Sequence, residues 1–437
     1  MTEIVKSKDL RTKILLIIGA MIVIRIGSII PIPGVNADYM KSLLNNSGLA
    51  FLNVITGNSL SRMSLFALSI SPYITASIII QLLMVVFPAL EEMNKDGKTG
   101  REKVEKITNI TGVSLAFFQA LFMAIGFGSQ GLLEPYTWWM VLIMTAIWTS
   151  GAAILMVIGN RITKMDIGNG ISYILLCNIL STFPSDLLSV YQVFVINRPI
   201  GYQVLNSLFA ASGLIVLIIA CIILSTSVRK IPMTFSGKMD GRSPRQDLPV
   251  QLNLCGVIPV IFTSSIMSMP ILLSSFMHDV EWLAKISRYL NQQNWFNPDS
   301  MKYTIGVIPY VLLTYFFTSF YLNVNFNAIE IANNLKQQGA VIPGIRPGKP
   351  TQEYIEKIAI RMAMLGATCT LGIILITCAV CNLSGLGALS IGGTSILICV
   401  SVIIESSKIF KTAIQSSKSR SFYKKQKGEA SLFGLTK

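Results

Sequence analysis

Residues 60–83 read LSRMSLFALSISPYITASIIIQLL. The stretch opens with Arg62 among small polar residues and becomes a long apolar run that contains Pro72, several hydroxyls and Gln81. From Phe66 to Phe87 it is long enough to cross a bilayer, for which about 20 residues suffice. A helix that faced only lipid would not spend so many positions on Ser, Thr, Pro and Gln. Polar and helix-breaking residues at membrane depth face protein or a water-filled path. The stretch therefore predicts a transmembrane helix that lines something.

The composition fits that reading. Only 13% of the 437 residues are charged and 52% are hydrophobic, against about 25% charged in a soluble protein. The chain is read as a polytopic membrane protein. Its net charge of +15 is then a topology signal, because basic residues concentrate in cytoplasmic loops. The seven cysteines lie mostly in apolar runs, so no disulfide framework is expected. Cys378 and Cys381 form a lone CxxC near a helix end and are read as small packing residues. Met1 to Lys13 is basic and Ile14 begins an apolar run, as in a signal peptide. No A-x-A-like site follows, so 14–32 is expected to be a retained first helix.

Hydrophobic windows place ten spans, at 14–32, 66–87, 107–127, 137–159, 170–190, 207–226, 254–277, 304–325, 359–381 and 389–407. Of the 36 Lys and Arg residues, 29 fall on the side that carries both termini. Six fall on the other side (Lys41, Arg62, Arg198, Lys285, Arg288, Lys302), and Arg25 lies inside the first span. This asymmetry puts both termini in the cytoplasm. Ten spans divide as five plus five, 1–200 and 201–437, and an odd number per half gives inverted halves. That division rests on the count alone, since the halves share no visible sequence identity.

Three connections stand out. Within Pro33–Met63 the part from Leu49 to Arg62 is apolar enough to be buried but too short to span, so it is expected to re-enter the membrane from outside. The segments 227–249 and 326–358 are long, basic and rich in Gly and Pro, and loops of that length are usually functional. The tail from Lys408 is basic and expected to be only partly ordered.

Catalytic chemistry is missing from the sequence. The single histidine, His278, sits in an external connection. No carboxylate occupies the middle of a span, although proton-coupled carriers need one there. Gly97-Lys98-Thr99 looks like the end of a P-loop, but position 92 is Glu where that motif needs Gly. No catalytic residue, metal site or cofactor is expected. An intramembrane enzyme fails for want of such groups. A secondary carrier of small solutes built on inverted repeats remains as the alternative to a pore.

Ile70 and Ile74 are one turn apart and share a helical face, as do Ile171 and Leu175 after the breaker Gly168-Asn169-Gly170. Span seven opens with GVIPVI (256–261), and span ten with GGTSILI (392–398). A plain apolar core would account for these positions equally well. Taken together, however, the motifs resemble the SecY family, the central subunit of the Sec protein-conducting channel. The matching stretches are RIGSIIPIPGV (25–35), SRMSLFALSISPYITASIIIQLL (61–83), GNGIS (168–172), GVIPVIFTSS (256–265), ANNLKQQGAVIPGIRPG (332–348) and IGGTSIL (391–397). They occur in order over nearly the whole chain.

The resemblance implies an all-α fold of ten helices in two inverted halves around an hourglass pore. It implies a constriction ring of Ile70, Ile74, Leu175, Ile261 and Ile398, with Ile171 as a further contributor. A narrow apolar collar holds water poorly and makes no sequence-specific hydrogen bond, so diverse peptides could slide past it. The re-entrant stretch would be a short plug helix on the external side, with Leu49, Phe51, Leu52, Val54, Ile55, Leu60 and Arg62. Spans two and three against seven and eight would form a lateral gate that passes hydrophobic segments into lipid. Ser77, Gln81 and Ile258 would tune it, unless the two polar residues serve only helix packing.

The two long loops would dock a ribosome or the SecA motor ATPase through Arg346, Lys349, Arg242 and Lys238, the alternative being topology alone. The resemblance also implies SecE-type and SecG-type small membrane subunits as partners, nascent or precursor polypeptide as cargo, and a bacterial plasma-membrane location in contact with lipid. The chain departs from the family in places. IPMTFSGK replaces the usual IPxxYAKR, and FNAIEIANNL replaces FNPxExADNL. Ser69 and Ser71 flank Ile70 where Gly and Met are frequent. These departures leave room for an accessory paralogue.

Overall fold

The opening stretch does not turn helical where its apolarity begins. A computed structural model of the chain describes residues 8–46, 50–165, 168–194, 200–235, 246–276, 280–383 and 393–432. In it, residues 65–70 are turns, and the helix starts at Ser71. Asn58, Met63 and Ser69 have φ of 63°, 46° and 50°, a left-handed conformation that interrupts any helix of L-residues. Pro72 then falls in the first turn, where its missing N–H costs nothing and its fixed φ favours initiation. It is a starter and not a breaker.

The helices are α1 (Lys8–Ile29), α2 (Ala37–Asn46), α3 (Ala50–Ile55), α4 (Ser71–Val86), α5 (Pro88–Lys95), α6 (Gly97–Phe127), α7 (Trp138–Thr163), α8 (Gly170–Phe194) and α9 (Ile200–Thr226). They continue with α10 (Ile258–Phe276), α11 (Glu281–Leu290), α12 (Val307–Asn325), α13 (Ala328–Gln337), α14 (Lys349–Leu383) and α15 (Gly393–Leu432). Among the described residues, eight helices are long and apolar enough to cross a membrane: α1, α6, α7, α8, α9, α12, α14 and α15. α4 is bent by 110° against α5, and α10 is a shorter apolar helix. The eight helices, the bent pair and α10 are consistent with the ten expected segments.

α6 packs against α4 and α7, and α7 against α8. α10 packs against α12, and α12 against α14. α10 also meets α4 and α6, while α15 meets α8, α9 and α14. One continuous hydrophobic cluster runs through the centre, from Ile24 in α1 to Val402 in α15.

The two long basic connections contribute three short strands. β1 (Val228–Phe235) pairs antiparallel with β2 (Gln246–Gln251), Val228 opposite Gln251 and Ile231 opposite Leu248. Its other edge pairs with β3 (Ala340–Val341), Phe235 opposite Ala340. A strand of the first connection is thus hydrogen-bonded to one of the second. Ile231 and Met233 alternate inward on β1, joining Val250, Leu335, Ile342, Ile355 and Ile358 in a separate small core.

The departure at 326–335 also has a structural account. Phe326 is extended, and the Asn327 side chain caps α13 by accepting from the Glu330 N–H at 3.1 Å. An N-cap starts the next helix where the family uses Pro to end the previous one. One further expectation needs adjusting. α14 begins ten residues before the expected span, at Lys349. The basic tail from Lys408 continues α15 as helix to Leu432.

Candidate functional site: a central apolar cluster and the segment folded against it

α3 has six residues and holds Phe51, Leu52, Val54 and Ile55; Leu49 lies outside the described residues. Val54, Ile55 and Leu60 are buried, whereas Arg62 is exposed. Non-helical backbone between helices must satisfy its own polar groups, and here Asn53 does much of that. Its Nδ2 donates to Asn58 Oδ1 at 2.9 Å, and its Oδ1 accepts from the Ser61 N–H at 3.2 Å. Its carbonyl accepts from the Asn58 N–H at 2.9 Å and from Thr56 Oγ1 at 3.0 Å.

Two neighbouring helices hold this segment. Asn178, buried in α8, donates from Nδ2 to the Ile55 carbonyl at 2.8 Å and to Ser69 Oγ at 3.0 Å. Arg25 of α1 donates to the Gly57 carbonyl at 3.3 Å and to Ser181 Oγ at 2.7 Å. Gly57, at φ 66°, lies so close to α8 that a Cβ would come within 3.0 Å of both Asn178 Cα and Ser181 Oγ. Only glycine suits both that conformation and that approach.

Sequence reasoning missed Asn178 and Ser181 and counted Arg25 without giving it a role. A charge inside an apolar span, and one amide within ILLCNIL (174–180), were the signals available. Ser69 holds the left-handed φ that a Gly adopts freely, and its hydroxyl gains the Asn178 hydrogen bond in return.

Ile70, Ile74, Leu175, Ile261 and Ile398 are all buried in the one central cluster, which Val54, Ile55 and Leu60 of this segment share, with Ile171 half-buried against it. Ile70 sits at the N-cap of α4, and its carbonyl accepts the Ile74 N–H at 3.1 Å. α4, α8, α10 and α15 thus each bring branched aliphatic side chains to the same core.

Ser77 and Gln81 bond to each other along α4, Gln81 Nε2 donating to Ser77 Oγ at 3.0 Å. Gln81 Oε1 is buried with no hydrogen-bond partner. Ile258 opens α10 and packs against the central cluster. Between α10 and α12, Thr314 Oγ1 donates to Thr263 Oγ1 at 3.3 Å. On the side of the sheet, a cavity of about 960 Å³ opens between the ends of α4, α12, α13 and α14, and its lining includes Arg101, Glu330 and Glu356.

Arg346 and Lys349 are exposed at the turn between β3 and α14, where the Arg346 carbonyl accepts from Thr351 Oγ1 at 2.8 Å. Lys238, Arg242 and His278 lie outside the described residues. Cys378 donates to the Gln292 carbonyl at 3.4 Å, which suits a packing role. Among the described residues no three His, Cys, Asp or Glu side chains come together as a metal site.

The fold and site thus define a helical multi-pass membrane protein with a short segment hydrogen-bonded against its apolar centre. The SecY family profile matches residues 64–407. The protein translocase subunit SecY of Staphylococcus aureus (strain NCTC 8325 / PS 47) is 35% identical over 427 residues, covering 95% of this chain and 97% of that protein. Its counterpart in Staphylococcus carnosus (strain TM300) is 34% identical over 430 residues, with the same coverage. The chain belongs to the SecY family. Solved structures agree in fold: a protein-conducting channel superposes with a TM-score of 0.65 at 16% identity, over 91% of each chain. Sec61 from the canine ribosome–channel complex superposes with a TM-score of 0.59, also at 16% identity and over 91% of each chain.

Proposed function

We propose that unfolded polypeptide crosses the membrane through the centre of this chain, past a collar of Ile70, Ile74, Leu175, Ile261 and Ile398. As a member of the SecY family the chain is a multi-pass membrane protein and a protein-translocation channel subunit, and it is not an enzyme. The observation that supports the collar is the burial of all five side chains in one cluster that also takes in Val54, Ile55 and Leu60 of the plug segment. An aliphatic constriction excludes ions while offering no hydrogen bond that would select one peptide over another.

The segment from Ala50 to Arg62 acts as the plug, held by Arg25 and Asn178 and displaced when polypeptide enters. α4 and α6 against α10 and α12 act as a lateral gate, with Ser77, Gln81 and Ile258 on its seam. The unsatisfied Gln81 oxygen is a group that gate opening could hydrate. The loops joined by the sheet face the cytoplasm with both termini, in a bacterial plasma membrane. Arg346 and Lys349, with Arg242 and Lys238, dock a ribosome or a SecA-type motor, and SecE-type and SecG-type subunits complete the assembly. Positive charge at that surface suits an anionic ribosome.

A photoreactive residue placed at Ile74 or Ile261 tests the path. It should crosslink to a precursor arrested in mid-translocation. Crosslinking only from lipid-facing positions such as Leu312 would overturn the central route.

A further inference from the structure

The connection between α10 and α12 lies on the face opposite the sheet, because α10 runs away from β2 and α12 runs back toward β3. Within it, α11 is amphipathic. Trp282, Ile286 and Tyr289 are exposed at a spacing that puts them on one helical face, Trp282 being 64% accessible. Leu283 is buried on the other side.

The helix is firmly placed. It packs against α10 and against the 3-10 turns at 298–306. The Tyr289 carbonyl accepts from Trp295 Nε1 at 2.9 Å, and Trp295 is buried against Tyr310 of α12. Gly306 faces that carbonyl so closely that a Cβ there would collide with it. Such an apolar face cannot rotate inward.

Its exposed face also continues into another. Met301, Ile305, Ile308, Leu312 and Phe316 form an exposed apolar stripe leading from the turns down α12, a helix long and apolar enough to span. Lys285, Arg288 and Lys302, three of the six cations assigned to this side, lie beside it. Lys285 pairs loosely with Glu281 at 3.9 Å, and Lys302 lies 5.1 Å from the Tyr303 ring centre. Asp279 and Asp299 are the other carboxylates of the connection.

We propose that α11 lies in the phospholipid headgroup layer opposite the sheet, with Trp282, Ile286 and Tyr289 in the acyl boundary and Arg288 and Lys302 on lipid phosphates. Three features select this occupant over a protein partner. The apolar face is continuous with a lipid-facing stripe. Trp and Tyr favour the interface, where the ring is buried and its polar atom stays wet. Basic residues flank the face and can reach headgroups. The helix would thereby anchor the outer ends of α10 and α12 at a fixed depth.

The test uses the full chain in vesicles of phosphatidylglycerol and phosphatidylcholine. The emission of W282F subtracted from that of the parent reports Trp282 alone. The proposal expects a blue-shifted difference spectrum, quenched by lipids brominated near the headgroup and protected from iodide. A red-shifted, iodide-quenched spectrum would overturn it, as would one protected from both quenchers, the mark of a protein contact. In native mass spectrometry, the triple variant K285Q/R288Q/K302Q should retain roughly tenfold less phosphatidylglycerol than the parent, and soluble glycerol phosphate should not compete. Equal retention, or displacement by glycerol phosphate, would count against phosphates held at the bilayer surface.

Discussion

The Asn178 side-chain amide donates to the main-chain carbonyl of Ile55 at 2.8 Å, across 123 residues of sequence. The same nitrogen also reaches Ser69 Oγ, at 3.0 Å. One amide thus ties the end of α3 and the start of α4 to the middle of α8. Replacing it with Ala leaves the Ile55 carbonyl buried and unpaired, at a cost of about 1–3 kcal/mol. In planar bilayers, Asn178→Ala should raise the frequency of spontaneous ion-conducting openings while the protein still assembles in the membrane. Openings as rare as in the parent would remove Asn178 from any role in holding the plug.

Arg25 makes the second tie, to the Gly57 carbonyl and Ser181. Arg25→Lys keeps the charge but not the guanidinium geometry, in which the single nitrogen Nη1 donates to both acceptors. This variant should leak less than Arg25→Gln, and both should leak more than the parent. Equal leak from both variants would mean that charge alone, or packing alone, is what counts.

A polar side chain in the collar should let water in. Ile74→Asn or Ile261→Asn is expected to raise resting ion conductance several-fold, because a wet constriction no longer disfavours ions. The same change at Ile179, buried one turn below Leu175, provides a comparison outside the ring. If all three variants conducted alike, membership of the ring would carry no special meaning.

Arg346 is exposed at the turn between β3 and α14, so changing it removes no core contact. Arg346→Glu should depress export driven by a motor or ribosome, with the loss growing at low salt where electrostatic steering is strongest. Expression and membrane integration of the variant should match the parent. Normal export at every ionic strength would leave Arg346 as a topology signal only.

Much of the architecture was legible in the sequence because crossing lipid imposes length and apolarity on each span. The limits of that signal are equally physical. Phe66–Ile70 is apolar but not helical: φ is positive at Met63 and Ser69, and residues 63–69 bond to Ile30, Ile32 and Asn178, distant partners that no local pattern encodes. β1 was hidden because eight residues with one short inward alternation look like loop until β2 and β3 are seen beside them. Ile70, Ile74, Leu175, Ile261 and Ile398, read from motifs as a collar, all fall in the central hydrophobic cluster. Asn178 escaped notice because a single amide in an apolar run gains meaning only from partners 109 and 123 residues away. Arg25 escaped for the same reason, with Ser181 156 residues distant.

The central claim is that polypeptide, and not a small solute, moves through this chain. The most direct measurement is reconstitution of the purified chain, with a SecE-type subunit and a SecA-type motor ATPase, into vesicles given an unfolded, labelled precursor and ATP. The account predicts that full-length precursor becomes protected from added protease until detergent is supplied, and that protection is lost without ATP. Accumulation of a small solute along an ion gradient, with no precursor protected, would contradict it.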